Sequence, residues 1–164
     1  MMPMPPDKKF LFSHPAHLLA FGFGAGLMPK APGTWGTLVA LPIFALTRLG
    51  GTVTVIAAAA VLFVVGIWAA GVAGRALGVA DHGGIVIDEI AAFLLVLACT
   101  PDSVGWWVIA FLLFRVLDIV KPWPIRWADR TIKGGFGVMF DDLLAAVYAI
   151  AGIVLLRSLA NAIL

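Results

Sequence analysis

The chain has 164 residues, of which 62% are hydrophobic and 12% charged, and its formal net charge at pH 7 is +2. Soluble domains average about 45–50% apolar and about 25% charged residues, so this composition is typical of a membrane protein instead. The length suits one domain, and the sequence has no basic run or aromatic-basic module of the kind that binds nucleic acid. The single cysteine, Cys99, excludes an intrachain disulfide.

The N-terminal part predicts a leader, a short helix and a loop. Residues 1–13 contain three prolines and predict a flexible leader, so that 14–164 form a single membrane-embedded domain. His14–Phe23 is apolar, with Pro15 at a helix start, but it is too short to cross a bilayer core of about 30 Å. This segment predicts an interfacial or re-entrant helix. Residues 24–36, rich in glycine and proline, predict a loop.

Apolar stretches in the rest of the chain predict an all-α, polytopic membrane bundle of roughly four to five apolar helices. Between them, 74–84 and 121–142 are predicted as polar loops, and a proline inside the first stretch, Pro42, predicts a kink there. The stretches are Trp35–Leu49, Thr52–Ala73, Ile85–Thr100, Val104–Val120 and Leu143–Leu164.

The charges predict the orientation of this bundle. With a cytoplasmic N-terminus, nine of the 11 lysines and arginines fall on the cytoplasmic side, and Arg48 and Arg157 fall on the other. This distribution satisfies the positive-inside rule. All the carboxylates except Asp102 fall on the same side as the nine cations. A bundle with one charged face and one plain face is typical of an enzyme that takes its substrate from one leaflet.

Carboxylates at the ends of apolar helices are costly in lipid and indicate a functional site. Asp88 and Glu89 lie near the start of an apolar stretch, about one turn below the surface, and adjacent helical residues point about 100° apart. One is expected to bind a metal ion while the other orients a ligand or accepts a proton; a pair favoured by the helix dipole is the alternative. Asp141 and Asp142 repeat the pattern at the start of the last stretch, where helix capping is the alternative. The glycine-rich run 133–137 before them is a candidate phosphate cradle.

A second group of candidates surrounds Asp118. Arg115 and Lys121 lie three residues before and after it, on one helical face, so the group is either part of a site or an intrahelical ion pair. Beyond the two prolines that follow, Arg126 and Arg130 are expected to contact lipid headgroups or to set the topology.

The loop around Lys30 is a candidate phosphate clamp. Two prolines and several glycines fix its backbone, and Thr34 or Thr37 is predicted to cap the following helix, whose N-terminus favours anions. Lys30 then serves either to bind the phosphate or to fix the topology of the loop.

The donor types indicate the metal. The three histidines show no zinc-site spacing, and no cysteine joins them. A site of carboxylates, water and phosphate oxygens favours Mg²⁺. The chain lacks the DxDx(T/V) signature of aspartyl-phosphate enzymes and the Cys-x5-Arg phosphatase pattern. Direct attack by metal-activated water is therefore the expected chemistry.

Four segments, in this order, resemble the phosphatidylglycerophosphatase A family, a family of bacterial Mg²⁺-dependent membrane phosphatases. They are GAGLMPKAPGTWGTL at 24–38, IVIDEI at 85–90, FRVLDIVKPWPI at 114–125 and GGFGVMFDDLLA at 134–145. The first and third are the most specific.

The resemblance implies an all-helical Mg²⁺ enzyme that converts phosphatidylglycerophosphate to phosphatidylglycerol. It further implies a multi-pass protein of the bacterial inner membrane, with its site facing the cytoplasm and a bilayer lipid as its partner; no protein partner is predicted. The expected metal ligands are Asp81, Asp88, Glu89, Asp141 and Asp142. The expected catalytic residues are Asp88, Glu89, Asp118 and Asp142, and the expected phosphate-binding residues are Lys30, Thr34, Arg115 and Lys121.

Three other functions are alternatives. A membrane transporter or ion-coupled carrier using the same acids is the main alternative, but it should show polar residues at mid-span or inverted repeats. A lipid-phosphate alcohol transferase should show a longer Asp-rich helical motif than the adjacent Asp141 and Asp142. A structural or assembly subunit is the third alternative.

Overall fold

The computed structural model describes residues 6–163, in which every regular element is a helix. The predicted all-α class is therefore confirmed. Short 3₁₀ turns cover Gly22–Leu27 and Arg48–Gly50. The α-helices, in chain order, are α1 Lys8–Ser13, α2 Pro15–Ala20, α3 Pro32–Thr47, α4 Thr52–Leu77, α5 Ile87–Ala98, α6 Val104–Val120, α7 Ile125–Thr131 and α8 Gly134–Ile163.

The centre of the bundle is α5, which packs against α3, α4, α6 and α8. All of its residues except Leu95 and Ala98 are buried. A helix that is apolar all round is suited to such an enclosed place. The surrounding helices therefore hold the N-terminus of α5, which carries Asp88 and Glu89, inside the protein.

Within the described residues, two helices are long and apolar enough to cross a membrane, α4 and α8. Their most apolar windows have mean hydropathies of 2.5 and 2.1, and only 28% and 22% of those windows are buried. The core helix of a soluble protein would be mostly buried, so the exposed apolar surface indicates membrane association.

The predicted count of four to five spanning helices is not confirmed. The helices α3, α5 and α6 have 16, 12 and 17 residues. At 1.5 Å per residue α5 is about 18 Å long, well short of a hydrocarbon core of about 30 Å.

The prediction of a flexible leader is wrong for residues 6–13. Helix α1 is capped by Asp7, and both Phe10 and Leu11 are buried. The ring of Phe10 stacks on His17 of α2, with ring centroids 4.0 Å apart. Burial of these apolar side chains fixes α1 to the bundle. Helix α2 begins at Pro15, as predicted; residues 1–5 lie outside the described residues.

The predicted loop over 24–36 is also partly helical, because α3 already begins at Pro32. The residue before this helix, Ala31, adopts a left-handed conformation with φ 49° and provides no side-chain cap. The Thr37 hydroxyl instead donates to the Gly33 carbonyl at 2.8 Å, one turn back. Capping by Thr34 or Thr37 is therefore a wrong prediction. The helix continues through Pro42.

The polar stretch over 121–142 contains α7 and the first turns of α8, so it is not one loop. Because α8 begins at Gly134, Asp141 and Asp142 lie two turns inside the helix and do not cap it. The glycines before them let α8 approach its neighbour: a Cβ on Gly135 would overlap the Ile67 carbonyl oxygen of α4. The glycine-rich run was predicted as a flexible phosphate cradle. In the structure it forms the first turn of α8 and packs against α4.

We expect Gly135→Ala to lower the free energy of unfolding by about 1–3 kcal/mol, the typical cost of overpacking. The added methyl meets backbone, which cannot move aside as a side-chain end could. Thermal unfolding in detergent measures the change. Gly105→Ala, in the first turn of α6, is the matched control, because nothing lies within 4 Å of its Cβ position; it should be neutral or stabilising by up to about 1 kcal/mol. Equal melting temperatures for the two variants would contradict the packing role.

Candidate active site

Three carboxylates from two helices meet inside the bundle. Asp88 and Glu89 lie in the first turn of α5, and Asp142 reaches them from α8. One oxygen from each of the three lies within 4.8 Å of the others. We call Asp88, Glu89 and Asp142 the acidic trio.

The acidic trio contains oxygen atoms that the rest of the protein leaves without a partner. Among the described residues, Asp88 Oδ1, Glu89 Oε2 and Asp142 Oδ2 are buried and accept no hydrogen bond. Buried polar atoms are nearly always paired, and oxygen ligands with high negative charge suit a hard divalent cation such as Mg²⁺. These three carboxylates, with their unpaired buried oxygens, therefore fit a metal ion.

The balance of buried charge supports the same conclusion. Five carboxylates are at most 9% exposed: Asp88, Glu89, Asp118, Asp141 and Asp142. Within residues 6–163, the cations that reach them are Arg115 and Lys121. An uncompensated buried charge is strongly unfavourable, so the excess of negative charge favours a bound cation.

Arg115 of α6 contacts Glu89 of the acidic trio, Asp118 on its own helix and Thr37 of α3. Its Nη1 lies 2.6 Å from Asp118 Oδ2 and 3.6 Å from Glu89 Oε1. The same nitrogen lies 3.5 Å from the Thr37 hydroxyl of α3. The intrahelical pair of Arg115 and Asp118 therefore exists, but it lies within the site, since Arg115 also reaches Glu89.

Lys121 forms a second pair of contacts just beyond the end of α6. Its Nζ lies 2.5 Å from Asp141 Oδ2 and 2.9 Å from Asp129 Oδ1. Burial favours the neutral amine, but these ion pairs outweigh burial and hold the pKa of Lys121 above its usual range. Lys121 has a left-handed φ of 47°, which turns the chain towards α7 and so brings Asp129 within reach.

Asp129 was not among the predicted site residues. Its signal in the sequence is weak, because it lies on α7, eight residues after Lys121 and beyond two prolines. Only the fold places it beside Lys121.

Two predicted metal ligands lie outside the acidic trio. Asp141 points to Lys121 and takes no part in the grouping of Asp88, Glu89 and Asp142. Asp81 is exposed in the loop after α4 and shares a small crevice with Asp129 and Asp141. The structure thus places Asp141 beside Lys121 and Asp81 in the adjoining crevice, at the edge of the site.

The loop predicted as a phosphate clamp comes close to the site through Gly33. A Cβ on Gly33 would overlap Glu89 Oε1 and lie 3.0 Å from an Arg115 nitrogen. Thr34 is partly buried in the first turn of α3, and Lys30 is exposed. Within residues 6–163 the Lys30 side chain has no ion pair or hydrogen bond.

A basic depression of about 410 Å³ adjoins Lys121 on the surface. Arg126 and Arg130 of α7 line it together with Trp123 and Trp127. Aromatic and cationic side chains are enriched at membrane–water interfaces. At the opposite end of the bundle, Arg48 and Asp102, both assigned to the far face from the sequence, form an ion pair with each other.

The fold and the acidic trio define a helical membrane protein with a buried, oxygen-rich site suited to a divalent cation. The sequence profile of phosphatidylglycerophosphatase A matches residues 18–157. The chain therefore belongs to the phosphatidylglycerophosphatase A family, as its motifs indicated, and it is a phosphatase that hydrolyses a phosphoric monoester.

Curated relatives cover most of the chain. Phosphatidylglycerophosphatase A of Haemophilus influenzae is 46% identical over 148 residues, 88% of this chain and 90% of that protein. Phosphatidylglycerophosphatase A of Escherichia coli is 42% identical over 147 residues, 86% and 82% of the two chains. A putative phosphatidylinositol-3-phosphatase of Bacteroides thetaiotaomicron is 40% identical over 140 residues, 80% and 87%. The search of solved structures found no match.

Proposed function

We propose that this protein removes the terminal phosphate of phosphatidylglycerophosphate and leaves phosphatidylglycerol. The family and the names of two relatives support this substrate. The observation that carries the chemistry is the acidic trio, whose unpaired buried oxygens lie beside Arg115.

We assign Mg²⁺ to the acidic trio, held by Asp88, Glu89 and Asp142. A bound Mg²⁺ supplies positive charge for the phosphoryl oxygens and makes water a better nucleophile. Phosphoryl transfer depends mainly on positioning and on neutralisation of charge, which is what a cluster of acids with adjacent bases provides. Asp141 is paired with Lys121 and Asp81 is exposed, so neither is assigned as a first ligand.

The cations around the acidic trio would bind the phosphate. Arg115 presents a planar group with several donors, which suits phosphate oxygens. Its Nε has no acceptor within the described residues. Lys121 is held in place by Asp129 and Asp141, and Asp118 orients Arg115 through their 2.6 Å contact.

Lys30 and Thr34 would act from the start of α3. Gly33 lies against Glu89, and Lys30 and Thr34 lie within three residues of it in the chain. Lys30 is exposed and its long side chain is mobile enough to reach an incoming headgroup. Its role is therefore to bind the substrate, while Arg115 is built into the site.

We place the site at the cytoplasmic face of the bacterial inner membrane. The positive-inside rule supports this orientation. The ion pair of Arg48 and Asp102 agrees with the assignment of both residues to one end of the bundle. The exposed apolar surfaces of α4 and α8 would contact lipid.

The test is phosphate release by the purified protein from phosphatidylglycerophosphate in detergent, with Mg²⁺ and with EDTA. We expect turnover with Mg²⁺, loss of at least about 100-fold with EDTA, and recovery when Mg²⁺ is restored, because removing the ion leaves the acids repelling the phosphate. Phosphatidylinositol 3-phosphate, suggested by the name of one relative, and glycerol 3-phosphate are the comparison substrates. Equal activity with EDTA would contradict the metal assignment, and a preference for phosphatidylinositol 3-phosphate would contradict the headgroup.

A further inference from the structure

An apolar groove of about 280 Å³ lies between α4, α5 and α8. A cavity of about 150 Å³ is large enough to hold benzene, so this groove has room for a longer hydrocarbon. Four alanines form much of its wall, two on α4 and two on α5: Ala59, Ala60, Ala91 and Ala92. Their small side chains leave the space that larger residues would fill.

The groove is open towards the outside of the bundle. Val64 lines it and is 67% exposed, and Ala60 is exposed as well. At 1.5 Å per residue, the part of α4 from Ile56 to Val64 runs about 12 Å along the helix axis. The groove is therefore elongated, lies on a surface that faces lipid, and has only apolar residues in its lining.

The groove begins about one helical turn from the acidic trio. Ala91 and Ala92 follow Asp88 by three and four residues on α5, so they lie one turn from it on the same face. On α8, the lining residue Leu143 directly follows Asp142. A molecule with a phosphate at the acidic trio can therefore extend an attached hydrocarbon chain into the groove.

We propose that this groove receives one acyl chain of the lipid substrate and thereby positions the headgroup at the acidic trio. This inference rests on the proposed function. The groove contributes orientation more than affinity, because the surrounding lipid is as apolar as the groove itself. Orientation matters for the rate, since a displacement of about 1 Å at the reacting group can cost about 100-fold.

The test compares two substrates that share one headgroup. Ala60→Phe places a ring in the groove from an exposed position, so it does not overfill the core. We expect kcat/KM for long-chain phosphatidylglycerophosphate to fall at least about tenfold, because the displaced chain moves the phosphate. The rate for the deacylated, water-soluble headgroup should change less than about twofold. Val61→Phe, 61% exposed and outside the groove, is the matched control and should leave both rates unchanged.

Two results would overturn the proposal. Unchanged long-chain kinetics in Ala60→Phe would mean that bulk lipid or a second copy of the chain covers the groove. An equal loss for both substrates would mean that the ring disturbs the acidic trio and that the groove does not select for the acyl chain. Failure of the proposed function is distinguishable, since wild-type protein would then release no phosphate from either substrate.

A second measurement does not depend on a variant. A phosphonate analogue of phosphatidylglycerophosphate, which cannot be hydrolysed, with a diazirine in one acyl chain and added with Mg²⁺, should label 56–64 and 91–95 on illumination. Excess unlabelled analogue should suppress this labelling. Labelling spread over the lipid-facing side of α6, and not suppressed by the unlabelled analogue, would refute the assignment.

Discussion

Replacing Asp142 with Asn should lower turnover of phosphatidylglycerophosphate by at least about 100-fold while the protein still folds. Loss of groups that only orient a metal ligand costs about 10–100-fold, and Asp142 is assigned as a ligand itself. The amide keeps the shape of the side chain but removes the negative charge that faces Asp88 and Glu89. The measurement is phosphate release over a range of Mg²⁺ concentrations.

The same variant makes a prediction that does not depend on activity. A ligand present at 100 times its Kd stabilises a folded protein by about 2.7 kcal/mol, so Mg²⁺ should raise the melting temperature of the wild type. Asp142→Asn should lose this rise. In EDTA it should melt at or above the wild-type temperature, because one of three crowded buried carboxylates has become neutral.

The control for Asp142→Asn is Asp102→Asn, at the opposite end of the bundle beside Arg48. It should keep both the activity and the Mg²⁺-dependent rise in melting temperature, since an exposed ion pair contributes about 1 kcal/mol or less. Near wild-type turnover in Asp142→Asn would remove Asp142 from the metal site.

Replacing Arg115 with Met should lower the free energy of unfolding by about 3–5 kcal/mol, the typical cost of removing one partner from a buried ion pair. The variant leaves Glu89 and Asp118 buried without their cation. Activity should fall as well, because a phosphate-binding group is lost. The measurement is unfolding in mixed micelles with increasing SDS, together with phosphate release.

Arg126→Met is the matched control for this prediction. Arg126 is exposed on α7 and donates to the Val120 carbonyl at 2.8 Å. Surface substitutions of this kind usually change stability by less than about 0.5 kcal/mol. Arg115→Lys should fall between, because lysine restores the charge but not the planar group that reaches Asp118, Glu89 and Thr37. Equal stability of Arg115→Met and Arg126→Met would refute a structural role for the Arg115 contacts.

Much of this architecture was predictable, because the patterns concerned are local. The absence of charge over 52–73 predicted the apolar helix α4, and the stretch Val104–Val120 coincides with α6. Pro15 marked the start of α2. The motifs also placed acids and bases at the helix ends that the structure brings together.

The helix boundaries were harder to predict, and they change where the acids lie within their helices. Asp88 and Glu89 were expected one turn inside a helix and lie in the first turn of α5, while Asp141 and Asp142 were expected at a helix start and lie two turns inside α8. The glycines 134–137 caused the second error. Glycine usually breaks helices, but here close contact with α4 compensates.

The partners of individual side chains could not be predicted from spacing. Sequence distance does not show that Asp141 turns to Lys121 while its neighbour Asp142 joins Asp88, because adjacent helical residues point in different directions. Nor does it show that α1 is held by the burial of Phe10. These contacts depend on how separate helices are packed.

The two sides of the acidic trio come from segments more than fifty residues apart, near the middle of the chain and on its last helix. A chain that is still being synthesised therefore has only two of the three carboxylates until α8 has emerged and docked. On the proposed mechanism, the nascent protein would not hydrolyse lipid phosphates during insertion, and activity would begin only when the bundle is closed.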